Sequence, residues 1–284
     1  MKIHAPAKIN ISLRILGKRH DGYHEVQTIM IPVTLFDEIF IQQKSKGVFL
    51  EAPGCNCSSE ENLVYKAARL FLDKSGKKGG VSITLVKHIP IGAGLGGGSS
   101  DAACVLLAMN TMFGEPFNKS ELMSLASKIG ADCPFFLFPR PMLMGSRGDE
   151  VLCDVNVEER AFLLVLPAFG ISTACVYSLF RAPLTQGVDL LKIDGDGNKK
   201  IAPESLLVND LESVAFQLHP ELDSIKRELL DIGALGALMS GSGSTVFGIF
   251  RDREHMNNAM DKMSTQDGYS YIPTTVMMEG DQWK

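Results

Sequence analysis

The chain has 284 residues and a formal net charge of −5 at pH 7, and 45% of its residues are hydrophobic and 21% charged. This balance is typical of a soluble globular protein with one large or two medium domains, and the negative charge argues against nonspecific binding to nucleic acid. The N-terminal segment lacks the long apolar core of a signal peptide, and no run of about 18 apolar residues predicts a membrane-spanning helix, so we expect a cytoplasmic protein that binds neither nucleic acid nor membrane.

The six cysteines are scattered along the chain and form no CxxC pair. A chain of this length does not depend on disulfide bonds for its stability, so we expect free thiols in a reducing compartment. Cys55 and Cys57 lie in a turn-rich loop, and a metal role is not expected for them.

The first forty residues favour β-strands. Short, partly alternating apolar runs predict strands over residues 2–7, 10–16, 25–33 and 37–43. The polar, glycine-containing segment 17–24 predicts a loop between the second and third of these strands.

A helix is predicted next, over residues 61–76, with Gly76 as a suitable stop. The apolar residues that recur on one face of this helix are Leu63, Ala67, Leu70 and Phe71. Residues 80–90 then predict a strand, which Pro90 closes.

Two more helices are predicted after a glycine-rich segment. The first spans residues 99–113, and its apolar stripe comprises Ala102, Leu106, Met109 and Phe113. The second spans residues 118–130, where Asn118 and Glu121 have the spacing of a capping box and a glycine ends the helix. Residues 131–138 predict a loop that leads into a strand.

The second half of the chain begins with a buried-type strand at 161–167, a short helix at 172–180 with Ser172 as its N-cap, and a polar, mobile surface loop at 187–205. The elements predicted after these are a helix at 220–233, a strand–turn–strand unit at 234–250, a helix at 254–263 and a strand at 269–278. Strands and helices mix without strict alternation, and this favours the α+β class.

The segment IPIGAGLGGGSSDAA, residues 89–103, places five glycines between a predicted strand and a predicted helix. Because glycine loses more conformational freedom on folding than any other residue, this density indicates a place where the backbone must be closely approached. Unpaired N–H groups and the dipole at a helix N-terminus attract anions, and Ser99 and Ser100 add hydroxyl groups there. The segment therefore favours a phosphate-binding loop over a flexible turn with a serine N-cap.

The pattern alone leaves the kind of phosphate site open. It lacks the GK[ST] of a Walker A loop, and the chain lacks the VAIK, HRD and DFG motifs of protein kinases. Gly92, Gly94 and Gly97 satisfy the GxGxxG spacing of a dinucleotide site, but a second helix rather than a strand is predicted after the first. A dinucleotide-dependent oxidoreductase and a nucleotide-binding module without catalysis remain alternatives.

Three segments together resemble the motifs of the GHMP kinases, the superfamily of galactokinase, homoserine kinase and mevalonate kinase. They are APAKINISLRILGKRHDGYHEVQT near the N-terminus, PIGAGLGGGSSDAA, and LMSGSGSTVFG near the C-terminus. The first of them, and the further segment GADCPFF, resemble a group of GHMP kinases that acts on an alcohol carrying a cytidine diphosphate. The resemblance covers nearly the full chain, and residues 184–207 match least.

The resemblance implies a two-lobed α+β GHMP kinase fold with mixed and antiparallel sheets and the active site in the cleft between the lobes. We expect an N-terminal ATP-binding domain over residues 1–150 and a C-terminal domain over residues 151–284. We also expect a monomer or a weak homodimer.

The activity implied by the resemblance is ATP-dependent phosphorylation of the 2-hydroxyl of a small cytidine diphosphate substrate, with Mg²⁺, in non-mevalonate isoprenoid precursor biosynthesis. A GHMP kinase with another small alcohol acceptor is the nearest alternative. The oxidoreductase is a more distant one.

In this superfamily the glycine loop and the helix after it surround the ATP phosphates. The residues that we expect to bind the nucleotide are Pro90, Ile91, Gly92, Ala93, Gly94, Leu95, Gly96, Gly97, Gly98, Ser99 and Ser100. The glycine–serine segment 240–245 is expected to form a wall near the phosphates, and an ordinary hairpin turn is the structural alternative. No protein ligand of Mg²⁺ is assigned, although Ser100 and Asp101 are positions to consider.

Two residues match the catalytic pair of the family. Asp132, in GADCPFF, is the expected base for the proton of the acceptor hydroxyl, although an aspartate at such a place is as often only a turn residue. Lys8 interrupts an apolar strand pattern, where a lysine usually marks a solvated or edge position. The resemblance makes it the partner of Asp132, whose carboxylate its positive charge would keep ionised.

Four residues are expected to bind the acceptor substrate. Asn10 lies two residues after Lys8, on the same strand face, and is expected to hydrogen-bond the sugar-alcohol part. Tyr23 and His24 are expected in the cytidine pocket, where an aromatic ring stacks on the base. Tyr177 is expected to close the sandwich from the other lobe. An edge-strand polar residue, for Asn10, and ordinary packing, for the aromatic residues, are the structural alternatives.

Overall fold

A computed structural model describes residues 1–55, 57–181, 200–263 and 268–277 of the chain. Within these ranges, eleven strands form two sheets, one of seven strands and one of four, and eight helices pack against them. The α+β class expected from the sequence is confirmed.

Two long antiparallel strands form the centre of the larger sheet. They are β1 (Lys2–Lys18) and β2 (His24–Lys44), and each joins two strands that the sequence predicts separately. β1 pairs in regular register through its predicted break at residues 8–9, whereas in β2 a register shift between Val33 and Phe36 lets the strand continue through its predicted break, as a β-bulge does. The predicted loop at 17–24 is correspondingly shorter, because β1 continues to Lys18 and β2 begins at His24.

Five shorter strands complete this sheet. They are β3 (Gly47–Glu51), β4 (Gly80–Val86), β5 (Met142–Gly145), β6 (Glu150–Asp154) and β8 (Val208–Asn209). The order is β3-β4-β2-β1-β8, with β5 paired to β2 and β6 paired to β5. Of these five strands, the sequence pattern predicts only β4.

The smaller sheet has the order β11-β7-β10-β9 and is antiparallel throughout. Its strands are β7 (Ala161–Leu166), β9 (Gly236–Met239), β10 (Val246–Phe250) and β11 (Ser270–Thr275). All four are predicted from the sequence, and the residues of β7 and β10 are fully buried, as their continuous apolar runs indicate.

The helices are α1 (Leu63–Ser75), α2 (Gly97–Met112), α3 (Lys119–Ile129), α4 (Cys133–Leu137), α5 (Thr173–Leu179), α6 (Glu212–Leu218), α7 (Glu221–Asp231) and α8 (Arg253–Met260). The predicted capping box of α3 is present, and Ser172 caps α5 as expected. Gly76 ends α1 with φ of 63°, a left-handed conformation that glycine adopts without steric cost. The predicted stripe of α2 is buried, but so are most of its other residues.

The prediction of a loop and strand over 131–138 is wrong. This segment forms the short helix α4, with Pro134 in its first turn and buried phenylalanines at 135 and 136. A short apolar run that is buried on all sides has no periodicity by which a strand can be distinguished from a helix. The proline has a backbone angle suited to the first turn of a helix, and it decides between them.

Three apolar clusters hold the molecule together. One lies between the larger sheet and α1 to α4, and a second between the smaller sheet and α5 to α8. The third joins Ile9, Ile29 and Ile31 of the larger sheet to Phe162 and Phe247 of the smaller one. This shared cluster brings the two sheets together beside the glycine loop.

The division into domains at residue 150 stays a prediction. Two strand pairings cross this boundary, since β6 pairs with β5 and β8 pairs with β1. Most of the predicted loop at 187–205 lies outside the described residues. Among the helices that are described, none combines the length and the apolar character that crossing a membrane requires.

Candidate active site

A cavity of about 520 Å³ lies where the glycine loop, β1 and the 240–245 turn meet. It is lined by most of the residues that the sequence singles out: Lys8, Asn10, the loop from Pro90 to Ser99, Asp132, Tyr177, Gly241 and Ser242. Tyr23, His24 and Ser100 are the predicted site residues that do not line it. The structure thus brings residues from both halves of the chain to one cavity.

The glycine loop has a backbone that only glycine adopts readily. Gly92, Gly94 and Gly96 have φ of 72°, 77° and 70°, in the left-handed region. A Cβ on Gly94 would lie 2.3 Å from the carbonyl oxygen of Ser240, so this position also needs glycine for close approach. The loop therefore depends on its glycines for both conformation and packing.

The helix α2 begins inside the glycine segment, at Gly97, and no side chain caps it. The first N–H groups of a helix have no partner within the helix, and the dipole adds partial positive charge at that end. Because the cavity is lined by Gly96, Gly97, Gly98 and Ser99, these N–H groups are available to an anion there. The first described intrahelical bond is from the N–H of Ser100 to the carbonyl of Gly96, at 2.9 Å.

Lys8 is buried in the wall of the cavity, on β1. Its ammonium donates to Asn10 Oδ1 at 2.5 Å and to the carbonyl of Gly94 at 2.9 Å, and it lies 3.7 Å from Asp132 Oδ2. Burial lowers the pKa of Lys8, and the charge and hydrogen bond of Asp132 oppose this only in part. One cation therefore contacts the glycine loop and the predicted base together.

Asp132 lies at the N-cap of α4 and makes no side-chain capping bond there. Its side chain is 31% exposed, in contrast to the buried Lys8. A carboxylate that is open to the cavity and close to an ammonium can accept a proton from a bound hydroxyl group. Helix α4, which the sequence pattern predicts as a loop and a strand, is thus the element that positions Asp132.

Asn10 connects the two sheets as well as lining the cavity. Its amide donates to Thr28 Oγ1 at 2.7 Å, and its backbone N–H donates to Ser240 Oγ at 3.3 Å. With its oxygen on Lys8, the orientation of the amide group is fixed. Asn10 is therefore an interior residue rather than the edge-strand residue of the structural alternative.

The 240–245 turn packs directly on the glycine loop. Ser240 Oγ donates to the carbonyl of Gly94 at 3.0 Å, and the N–H of Thr245 donates to the carbonyl of Ala93 at 3.2 Å. Asn209 supports the turn from beneath, because its amide donates to the carbonyl of Gly241 at 2.8 Å. The turn is both a connection between strands and a wall of the cavity.

Of the three aromatic residues predicted for the acceptor, Tyr177 lines the cavity and His24 packs against it. The rings of His24 and Tyr177 are 5.3 Å apart between centroids and tilted by 34°. Burial lowers the pKa of His24, helped by the charge of Lys18, and burial raises the pKa of Tyr177, so both rings are neutral near pH 7. Tyr23 is 57% exposed, and the guanidinium of Arg147 lies 5.0 Å from its ring centroid.

Several residues that line the cavity are missed by the sequence patterns. Arg147 and Gly148 come from the β5–β6 turn, and Lys87 precedes the glycine loop. Asp101, which the sequence offers only as a position to consider for Mg²⁺, follows the loop and lines the cavity as well. In the sequence, the only signals for Lys87 and Asp101 are a lysine shortly before the glycine loop and an aspartate in the first turns of the helix that follows it. Their pairing across the loop is a property of the fold.

A cluster of three or more acidic, histidine or cysteine side chains that would hold a metal ion does not occur in the part of the chain that is described. Ser100 and Asp101, the positions considered for Mg²⁺, are both buried, and Asp101 is bonded to Lys87. The six cysteines, all of which lie in the described ranges, form no disulfide bond, as the sequence predicts.

Comparison with known proteins agrees with this geometry. Residues 62–140 match the model of the GHMP kinases N-terminal domain, and residues 188–269 match that of the GHMP kinases C-terminal domain. The 4-diphosphocytidyl-2-C-methyl-D-erythritol kinase of Syntrophus aciditrophicus is 43% identical over 91% of this chain and 93% of its own length. The enzyme of the same name from Syntrophotalea carbinolica is 40% identical over 93% and 95%.

Solved structures of kinases are also similar to this chain. A crystal structure of 4-(cytidine 5'-diphospho)-2C-methyl-D-erythritol kinase has a TM-score of 0.80 and 34% identity, covering 98% of this chain and 100% of that one. Homoserine kinase from Cytophaga hutchinsonii has a TM-score of 0.71 at 21% identity, covering 97% of this chain and 94% of that one, which shows a common fold.

Proposed function

Because the chain belongs to the GHMP kinases, and within them to the 4-diphosphocytidyl-2-C-methyl-D-erythritol kinases, we propose that it phosphorylates the 2-hydroxyl of 4-diphosphocytidyl-2-C-methyl-D-erythritol with ATP. The reaction belongs to the non-mevalonate route to isoprenoid precursors. Phosphoryl transfer of this kind depends on alignment and charge stabilisation more than on covalent chemistry by the protein. The geometry of the cavity is suited to that requirement.

ATP binds with its phosphates at the N-terminus of α2. The proposed contacts are the backbone N–H groups of residues 92–99, with Pro90 and Ile91 at the entry of the loop and Ser100 behind it. The lack of a side-chain cap leaves these donors free for phosphate oxygens. The 240–245 turn closes the opposite side through its own backbone.

Asp132 accepts the proton of the acceptor hydroxyl as that oxygen attacks the terminal phosphorus. Lys8 lies between this carboxylate and the glycine loop, so its charge favours the ionised base and offsets negative charge that develops during transfer. Asn10 fixes the ammonium and offers its amide to the alcohol part of the acceptor. Lys8 and Asn10 are both held in place by hydrogen bonds to neighbouring residues.

The cytidine end of the acceptor lies near Tyr23, His24 and Tyr177. His24 and Tyr177 contact each other, so a base stacked between aromatic rings requires one of the rings to move. Tyr23 is exposed and available for stacking. This end of the cavity, rather than the phosphate loop, selects the acceptor.

Mg²⁺ accompanies the nucleotide. Magnesium in kinases is commonly held by substrate phosphates, water and one or two carboxylates rather than by an all-protein cage. The described residues fit this mode, since they form no acidic cluster. When bound, the ion neutralises phosphate charge, while the chain itself positions the phosphates.

One observation supports the proposal more than any other: the Lys8 ammonium bonds the carbonyl of Gly94 and faces Asp132 within one cavity. The test is ADP release by the purified protein across a panel of alcohols, with and without a cytidine diphosphate group. We expect rapid ADP release only with 4-diphosphocytidyl-2-C-methyl-D-erythritol.

Equal rates with mevalonate or homoserine would instead support the alternative of a GHMP kinase with another acceptor. Reduction of a nicotinamide cofactor without ADP release would support an oxidoreductase. The relatives named above are all kinases, so that alternative is not favoured.

A further inference from the structure

A buried cluster of three charged residues lies under the glycine loop, apart from Lys8 and Asp132. The ammonium of Lys87 is bonded to Asp37 Oδ2 and, at 2.7 Å, to Asp101 Oδ2. Asp37 and Asp101 are 0% and 1% exposed, and the Lys87 side chain is 11% exposed. The proposed mechanism gives these three residues no role.

The cluster connects the two ends of the loop. Asp37 Oδ1 accepts hydrogen bonds from the N–H of His88 at 2.5 Å and of Ile89 at 2.8 Å, directly before the loop. Asp101 lies in α2, directly after the loop. One ammonium therefore ties the strand side of the phosphate loop to its helix side.

The packing around Lys87 is close to the proposed phosphate site. A Cβ on Gly97, the first residue of α2, would lie 3.2 Å from Lys87 Nζ. Lys87 and Asp101 both line the cavity. A change in the cluster would therefore alter the position of the N-terminal turn of α2.

The charges of the cluster do not balance. One ammonium and two carboxylates leave one net negative charge when all are ionised, and Asp101 Oδ1 is buried without a hydrogen-bond partner. An unpaired buried carboxylate oxygen is costly, and a polyanion bound nearby increases the cost. A proton on Asp101 would remove the excess negative charge, and Asp101 would then donate a hydrogen bond to the carboxylate of Asp37.

We propose that Lys87, Asp37 and Asp101 are positioning residues that hold the phosphate loop in its nucleotide-binding form, and that Asp101 takes up a proton when ATP binds. The proposal rests on the proposed function, since it assumes that ATP phosphates lie on this loop.

The surroundings of Asp101 support this proton uptake. Burial raises the pKa of Asp101 to about 7, against the opposing charge of Lys87 and with the added repulsion of Asp37. The attraction of Asp101 and Asp37 outweighs burial and raises the pKa of Lys87, so the lysine keeps its charge. A further titratable neighbour is Cys55, whose pKa burial raises, so that its thiol stays neutral.

The first test replaces Lys87 by Met, which keeps the side-chain length and removes the charge. We expect the KM for ATP to rise about tenfold or more, while the KM for the acceptor changes less than about twofold, because only the nucleotide end is disturbed. Lys2→Met is the control, since Lys2 pairs with Glu38, the neighbour of Asp37, but is exposed. Its kinetic constants should match those of the unchanged protein.

The second test uses Asp101→Asn, which resembles a permanently protonated Asp101 and keeps the oxygen that bonds Lys87. The dissociation constant for ATP is measured from about pH 6 to pH 8.5 for both proteins. Affinity of the unchanged protein should fall as pH rises, because Asp101 then loses its proton beside the phosphates. The ratio of its dissociation constant to that of the variant should rise about three- to tenfold over this range.

The ratio cancels the titration of ATP itself, which both proteins bind. A ratio that stays constant with pH would overturn the proton uptake, and an unchanged KM for ATP in a folded Lys87→Met protein would overturn the positioning role. If Lys87→Met does not fold, the pH dependence of the ratio measured with Asp101→Asn decides the proposal by itself. An unchanged protein that fails to bind ATP at all would instead refute the proposed function.

Discussion

The two ends of the cavity are built in different ways. At the proposed nucleotide end, the site is made of backbone: three glycines with positive φ, a helix without a side-chain cap and the 240–245 turn. At the proposed acceptor end, it is made of side chains from separate parts of the chain, since Tyr177 lines the cavity and His24 packs beside it. Backbone donors serve any nucleotide triphosphate, whereas side chains can distinguish one acceptor from another.

The difference shows which substitutions each end tolerates. The backbone site has no spare volume at Gly94, since a Cβ there would overlap the carbonyl oxygen of Ser240. The aromatic site includes an exposed ring, Tyr23, that can be truncated without leaving a buried cavity. Changes at the first end should therefore affect folding and ATP binding together, and changes at the second should affect the acceptor alone.

The largest effect is expected between the two ends, at Asp132→Asn. Loss of a general base typically lowers kcat by about 10²–10⁴-fold, while the dissociation constant for ATP should stay within about threefold. Steady-state kinetics and nucleotide titration measure the two. Asp154→Asn, on the surface and paired with Arg140, is the control. Near-normal turnover in Asp132→Asn would show that another group accepts the proton.

The second largest effect is a loss of stability in the Gly94→Ala variant. The left-handed φ and the contact at 2.3 Å together should cost about 3 kcal/mol of unfolding free energy. Gly76→Ala has a similar φ but no atom within 4 Å of the added Cβ, so it should cost only about 1 kcal/mol. Denaturant unfolding compares them, and equal losses would mean that close approach to Ser240 is unimportant.

Aromatic truncation should have a smaller effect, confined to the acceptor. Tyr23→Ala removes one stacking surface, which is worth about 1–3 kcal/mol, or about five- to 150-fold in the acceptor KM. The KM for ATP should not change, because Tyr23 does not line the nucleotide end. Tyr65→Ala, on α1, is a control for the loss of a tyrosine elsewhere. An unchanged acceptor KM would remove Tyr23 from the pocket.

The smallest effect is expected from pH. Because burial lowers the pKa of Lys8, its ammonium loses its proton as pH rises through a value below 10.5. The rate should therefore be constant on the acidic side of this pKa and fall up to about tenfold per pH unit above it. A pH–rate profile measures this. Activity that is constant up to pH 10.5 would contradict a need for the charge of Lys8.

The elements that the sequence predicts correctly have strong local signals. The capping box at Asn118, the left-handed stop at Gly76 and the continuous apolar run of β7 each specify their own conformation. The elements that it misses lack such signals. The strands β3 and β5 are short, and their pairing with the distant strands β4 and β2 rather than their own residues makes them strands. The strand β6 forms by pairing with β5. The segment at 131–138 is ambiguous until its burial is known.

By itself, the sequence determined the family motifs and the phosphate loop, because glycine spacing and a helix start are local properties of the chain. Only the tertiary structure decided that Lys8 meets Asp132, that Asp132 starts a helix and that Lys87 joins Asp37 to Asp101. These contacts link residues from 14 to more than 100 positions apart. Long-range packing brings such residues together, and the bulged strands β1 and β2 determine where they meet.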